Sequence, residues 1–497
     1  MWHSTVLLLS LALGLVSVQG ASHHAQQHTF PKAPTREPYD YCQAGYLDPK
    51  SYPIPTAKGA VLEHVQVVIR HGDRGSPDPS PVHIIPQDNE VSWDCSDINT
   101  YAFSDESDGK KPPSHRAHLI VNQESTIPQS SPWAQNFWQG SCFLGQLTSV
   151  GARQHQRLGQ VLKAVYIDQL SLLNKTLDPD TVYFRATDYP RTKQSAENLL
   201  IGLFTDPDES SGKAATASPP PMVKLHYYPS EIDTFFKNGE ACPAIKHLEK
   251  KIFGQSKVLE TLAKNNAQFK KDLNRIFGVN PALPEWNPKR PEWAAPMDIV
   301  HARLCHDLPQ PCEPTSGHKL EEDDVTTENK KHKKPNCITH EMIERIQDNA
   351  FTFAAETRRD AKGAHKLMRL VAGPLVSDMR QDLAHARHKG PIRFTLFSGH
   401  DDTVTSVLGV LKSKDIRWPP YASNVLFELW KVPCENTYHG CGSTDNDDYF
   451  VRVFYNGAVV DADWCDLSWC PYDTFIGYLD SFIPKDLHAE CHMKDEL

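Results

Sequence analysis

Three apolar runs in this chain stop at turns dense in arginine, histidine and aspartate. Val65–Ile69 ends in Arg70-His71-Gly72-Asp73-Arg74. Val182–Phe184 leads through Arg185 to Arg191, and Ile392–Phe397 ends in Ser398-Gly399-His400-Asp401. Runs this short and apolar read as buried strands closed by loops. Helical patterns lie between and after them. Leu158, Val161, Leu162 and Val165 share one face, and Ser195–Leu203 and Thr403–Leu411 read as further helices. Strands alternating with helices predict an α/β fold on a mostly parallel sheet covered on both faces. Val425–Trp430 and Tyr449–Tyr455 predict more strands near the end.

Three polar stretches interrupt the pattern. Ser104–Pro132 and the Ser-, Ala- and Pro-rich Asp206–Pro221 read as loops, and Ser316–Asn336 is a solvated run of charge. The region around Ile245–Phe277 is helix-like. These readings predict a discontinuous α/β core at 61–205 and 336–490, with a helical cap inserted at 222–335. No internal repeat is visible.

The two ends bear on compartment. Met1–Gly20 carries no Lys, Arg, Asp or Glu, and Val6–Val16 is apolar. That run falls short of the roughly 20 residues that cross a bilayer. With Val18 and Gly20 small enough for a cleavage site, 1–20 reads as a signal peptide, an uncleaved anchor being the alternative. Lys494-Asp495-Glu496-Leu497 reads as a retrieval signal for the endoplasmic reticulum. The expected setting is therefore the lumen of that compartment, with the retrieval receptor as a partner and no membrane span after cleavage. Twelve cysteines, an even number that all follow residue 20, fit an oxidising lumen. Local pairs Cys305–Cys312, Cys434–Cys441 and Cys465–Cys470 are expected, although spacing alone does not decide connectivity. A zinc site at His301, Cys305, His306 and Cys312 is the other reading of that cluster, but it lacks paired CxxC spacing. The Asn174-Lys175-Thr176 sequon opens Asn174 to glycosylation.

Charge narrows the chemistry. Lys and Arg number 52 against 62 Asp and Glu, a net charge of -10. Such a surface does not attract nucleic acid or an anionic membrane, so any bound anion needs a local cationic pocket. In an open α/β sheet, ligands bind outside the carboxyl ends of the strands. Arginines converging there repel one another unless an anion sits among them, and the guanidinium fork matches phosphate oxygens. An imidazole among them offers a nucleophile that could form a phosphohistidine, later hydrolysed by water. A carboxyl facing a phosphate dianion stays protonated at mildly acidic pH and can protonate the leaving group, which makes Asp401 the candidate donor. The scheme needs no metal and no cofactor.

VVIRHGDR around His71 resembles the signature of the histidine acid phosphatases, the second branch of the histidine phosphatase superfamily. GQLTSVGARQHQRLG at 145–159, FRATDYPRT at 184–192 and SGHDDTV at 398–404 resemble that family's further blocks, in the same order. The resemblance spans about 61–480 and implies a phosphoglycerate mutase-like core. It implies that His71 is the nucleophile, that Arg70, Arg74, Arg191 and His400 bind phosphate, and that Asp401 donates the proton. Arg185 matches a supporting arginine, and Asp73 sits behind the site. Two departures stand out. The family usually has proline two residues after the second arginine, whereas Gly75 and Ser76 here precede Pro77. Asp402 also stands where threonine is common, which makes it the alternative donor.

The expected substrate is a small phosphomonoester or a phosphorylated glycan. VLFELW at 425–430, FYNG at 454–457, Cys470-Pro471 and Cys491 resemble the 2-phosphoxylose phosphatase-like group, which trims a sugar phosphate from the proteoglycan linkage region. An inositol polyphosphate, phytase-like activity is the alternative. The multiple inositol polyphosphate phosphatases, however, typically carry His-Ala-Glu where this chain has His400-Asp401. A non-catalytic lumenal binding protein on the same fold is the second alternative. A phosphomutase fits less well, since its acid is usually glutamate.

Overall fold

The computed structural model describes residues 39–75, 85, 87–88, 91–97, 139–205, 223–283, 286–314, 336–433 and 447–493. The signal-peptide segment, the retrieval signal, Pro77, Cys434, Cys441 and the loops at 104–132, 206–221 and 316–335 lie outside the described residues. From Tyr41 onward the chain is one compact unit.

Strand β1 (Val61–Arg70) is followed by the short β2 (Ser92–Trp93) and β3 (Gln139–Gly140), which pair with each other. Helix α1 (Ser149–Leu162) leads to β4 (Val182–Ala186), α2 (Pro190–Phe204) and β5 (Leu225–His226). Then come α3 (Pro243–Gln255), α4 (Lys257–Phe277) and α5 (Ala294–Cys305), all inside the stretch read as a helical cap. The helix-like stretch over 245–277 is two helices because Ser256 is extended and its Oγ caps α4, accepting the Leu259 N–H at 3.1 Å. Helices α6 (His340–Ala355), α7 (Ala364–Val371) and α8 (Gly373–Arg387) precede β6 (Phe394–Gly399) and α9 (Asp401–Val410). The chain closes with β7 (Asn424–Pro433), β8 (Asp447–Tyr455), β9 (Ala458–Val459), β10 (Cys470–Pro471), α10 (Tyr472–Asp480) and α11 (Leu487–His492).

The main sheet has the order β10-β8-β7-β1-β6-β4-β5, with β9 on β8. Its β1-β6-β4-β5 half is parallel, as expected. The remainder is antiparallel, because β7 runs against β1 and β8 returns against β7. Burial on both faces accounts for the nearly apolar character of Val65–Ile69 within β1. Val65, Val67 and Ile69 join the core with Leu158, Leu162, Leu199 and Leu203 of α1 and α2. Val68 faces the opposite core with Leu375, Met379 and Val407 of α8 and α9. Gln66, the polar exception, satisfies its buried Nε2 on the Met379 carbonyl at 2.7 Å. Helices α1 and α2 cross at Gly159 and Gly202. A Cβ at either position would run into the backbone of the other helix.

Five disulfides join described cysteines: Cys42–Cys305, Cys95–Cys142, Cys242–Cys491, Cys312–Cys337 and Cys465–Cys470. The expected Cys465–Cys470 bridge is present. The expected Cys305–Cys312 bridge is not, because α5 ends at Cys305 against the segment holding Cys42, 263 residues away. Cys312 instead bridges to Cys337 across a short antiparallel contact. Both sulfurs that a zinc site would need are therefore already bonded, and that reading falls.

Candidate active site

The parallel half of the sheet sets the site. Arg70 is level with Gly399 in the β1–β6 register, and Ala186 is level with Ser398 in the β4–β6 register. The three strands therefore release their chains at one height, and the next few residues of each meet. His71, Arg74, Tyr189, Arg191, Phe236, His400, Asp401 and Asp402 line one cavity of about 170 Å³. Pro190 at the first turn of α2 pre-sets the backbone and places Arg191 in that turn.

His71 is buried, and its Nδ1 donates to the Gly72 carbonyl at 2.8 Å. That bond selects the tautomer and leaves Nε2 for chemistry. Burial first, then the charges of Arg191, Arg70 and Arg74 and the neighbouring His400, hold its pKa well below the usual histidine value. The imidazole is therefore neutral even in mild acid. Gly72 makes this position possible. A Cβ there would overlap the Gly151 backbone at the start of α1.

His400 stands 5.7 Å from His71, ring centre to ring centre. Its Nε2 pairs with Thr187 Oγ1 at 2.9 Å, and its ring meets the edges of Tyr189 and Phe236. The Asp401 carboxylate accepts from Trp418 Nε1 at 3.2 Å and lies 3.1 Å from an Arg70 nitrogen. Asp402 lines the same cavity but is paired with Arg358. Burial alone would raise the Asp402 pKa, yet Arg358 and Lys237 hold it below the usual carboxylate value.

The arginines differ in their surroundings. Arg74 and Arg191 line the cavity. Arg74 Nη2 donates to Asp298 of α5 at 2.8 Å, and Arg191 stacks on Tyr189. Arg70 is fully buried and is not part of the lining. Its guanidinium lies against the rings of Tyr41 and Tyr421, which also touch each other, and donates to the Pro419 carbonyl at 2.6 Å and the Tyr41 hydroxyl at 2.9 Å. From behind the lining it lies against Asp401, and its charge reaches His71. Arg185 faces away, tying β4 to Asp378 of α8 and to Asp233. Asp73 also points away, where Oδ1 accepts from Thr148 Oγ1 and His306 Nε2. Asn174 lies on the exposed surface.

Several contributors have no signal in the sequence. Thr187 and Tyr189 lie inside FRATDYPRT and could have been found by asking what flanks a strand end. Tyr41, Phe236, Asp298 and Trp418 come from segments with no pattern of their own. Their contacts exist only in the folded chain.

A buried neutral imidazole facing an anion-sized cavity with two arginines, a second histidine and a carboxyl group at the ends of parallel strands marks a phosphoryl-transfer enzyme. The model of the histidine phosphatase superfamily (branch 2) matches residues 61–456, and the chain belongs to that family. Its relatives include counting factor 60 of Dictyostelium discoideum, 26% identical over 91% of this chain and 92% of that protein. Human 2-phosphoxylose phosphatase 1 is 26% identical over 86% and 77%, and human lysophosphatidic acid phosphatase type 6 is 22% identical over 86% of each. The apo Hafnia alvei phytase shares the fold with a TM-score of 0.51 at 13% identity, covering 89% of this chain and all of that one. The chain is a phosphatase, a hydrolase of phosphomonoesters.

Proposed function

We propose that the protein is a secretory-pathway acid phosphatase that works through a phosphohistidine on His71. The carrying observation is the Nδ1 bond to Gly72, which leaves a neutral Nε2 on the side of a cavity lined by Arg74, Arg191, His400 and Asp401. Nε2 attacks phosphorus, a P–N bond forms, and the P–O bond to the leaving alcohol breaks. Asp401 gives its proton to that alkoxide. Water then attacks the phosphohistidine, Asp401 takes back a proton, and inorganic phosphate leaves. Arg74, Arg191 and His400 stabilise the charge on the equatorial oxygens. Arg70 orients Asp401 and adds positive potential from behind. Asp402 is a poor donor because Arg358 favours its ionised form.

Five disulfides and an exposed sequon support the lumenal setting, with retrieval by the C-terminal signal. Residues 222–335 are read as a cap over the site, since α5 brings Asp298 to Arg74 and the segment before α3 brings Phe236. A phosphorylated sugar such as phosphoxylose is the finer substrate reading, supported by likeness to proteins named 2-phosphoxylose phosphatase. The VLFELW match behind it bears little on the pocket, because Val425–Trp430 is buried sheet core. A phytase-like substrate finds less support. Among the described residues two arginines line this small cavity, beside two aromatic rings and two carboxylates.

The test is trapping. Phosphate-labelled substrate and an alkaline quench, under which phosphohistidine survives, should label wild type and leave His71→Ala unlabelled. Turnover by His71→Ala should fall by at least about 10³-fold. Label on any other residue would overturn the mechanism.

A further inference from the structure

Phe236 belongs to two cavities. One face of the phosphate-sized cavity is Phe236, whose ring centre lies 5.8 Å from that of His400. The second cavity, of about 310 Å³, is lined by Phe236 together with Ile245 of α3, Leu370 of α7, Leu487 of α11 and the Cys242–Cys491 disulfide. Its volume reaches the lower end of the roughly 300–1,000 Å³ range of small-ligand pockets. It is therefore an apolar hollow one phenyl ring away from the phosphate-binding histidine.

We propose that this second cavity is the leaving-group subsite, and that it takes a monoester whose alcohol carries an aliphatic chain. The inference rests on the phosphatase reading and refines its substrate class. A phosphate held among His71, Arg74, Arg191 and His400 must send its ester oxygen past the lining, and Phe236 and Tyr189 are the apolar members of that lining. A chain crossing Phe236 meets Ile245, Leu370 and Leu487, where burying each methylene is favourable. A polar glycan there would exchange its water for few partners, since Thr234, Asn238, His488 and His492 are the polar members of the lining. The disulfide joins the start of α3 to α11 and so keeps two walls of the hollow in register.

The experiment compares n-alkyl phosphates from ethyl to decyl on the whole protein, with an aryl phosphate as reference. The specificity constant kcat/KM should rise by up to about fourfold per added methylene and level off once the hollow is full. Ala241 lines the hollow on its exposed side, away from the catalytic groups. Ala241→Trp, which fills it, and Ala241→Asp, which charges it, should flatten that rise while ethyl and aryl phosphates are turned over as before. Calorimetric binding of the matching alkyl phosphonates reads the same slope without turnover. A flat series in wild type overturns the proposal, and so does an equal slope in wild type and both variants. Should no ester be hydrolysed while phosphonate affinity still climbs with chain length, the phosphatase reading fails and the subsite stands. Turnover of sugar phosphates with no chain-length effect removes the subsite and leaves the phosphatase reading intact.

Discussion

Replacing Asp298 with asparagine removes the carboxylate facing Arg74 and keeps its shape. The two groups lie 2.8 Å apart, with side chains 2% and 8% exposed. At that separation the attraction is about 6 kcal/mol for an effective dielectric of about 20. Much of it only offsets the cost of taking two charges out of water. Removing one partner leaves the other buried without its countercharge, at about 3–5 kcal/mol. Asp298→Asn should therefore lower the unfolding free energy by about 3–5 kcal/mol in anion-free buffer, read by urea denaturation with the disulfides intact. Inorganic phosphate should then restore more stability to the variant than it adds to wild type. Ligand stabilisation follows RT ln(1 + [L]/Kd), and a guanidinium without its carboxylate binds a dianion more tightly. A loss below about 1 kcal/mol, the range of an exposed pair, would refute the reasoning. So would equal phosphate increments in the two proteins, since Arg74 would then not face the bound anion.

Further outcomes follow from the same geometry. The depressed pKa of His71 keeps its imidazole neutral below pH 6.5. Hydrolysis of an aryl phosphate, whose leaving group needs no proton, should accordingly not fall as pH drops from about 6.5 to about 5. A titration with an ordinary histidine pKa would contradict the burial argument. Asp401→Asn should slow alkyl phosphates by at least about 10²-fold more than aryl phosphates, and equal slowing would remove its role as donor. Thr187→Val deletes the 2.9 Å partner of His400 Nε2 and should lower kcat/KM about 5- to 10-fold, with little change in melting temperature. Burial alone would lower the pKa of His306, but Asp73 at 2.7 Å raises it. The folded state then holds that proton more tightly than the unfolded one. The pair's contribution to stability is present below pH 6.5 and disappears as pH climbs through the raised value. His306→Gln should flatten that part of the stability profile, and an unchanged profile would show that the pair contributes nothing.

The reactive turns were legible because burial leaves a mark in the letters. A strand covered on both faces is mostly apolar, as Val65–Ile69 is; Ile392–Phe397 alternates, and each has a polar turn where the cover ends. The direction of a strand leaves no such mark. β7 is as apolar as β1 yet runs against it, and pairing decides between the two. Disulfide partners are equally silent, because the sequence separation of 263 between Cys42 and Cys305 is closed by packing and not by spacing. Arg70 shows the same limit at the site. Read along the chain it is one more arginine at a strand end. In the fold, two tyrosines, a carbonyl and Asp401 surround it.

The order of residues alone determined which side chains could do the chemistry and that three strand ends would present them. Only the folded chain decided how they share the work. The electrostatic setting of an arginine or a carboxylate depends on neighbours within a few ångströms, such as Tyr41 for Arg70, Asp298 for Arg74 and Arg358 for Asp402. Those neighbours lie from tens to hundreds of residues away, and local sequence carries no record of them.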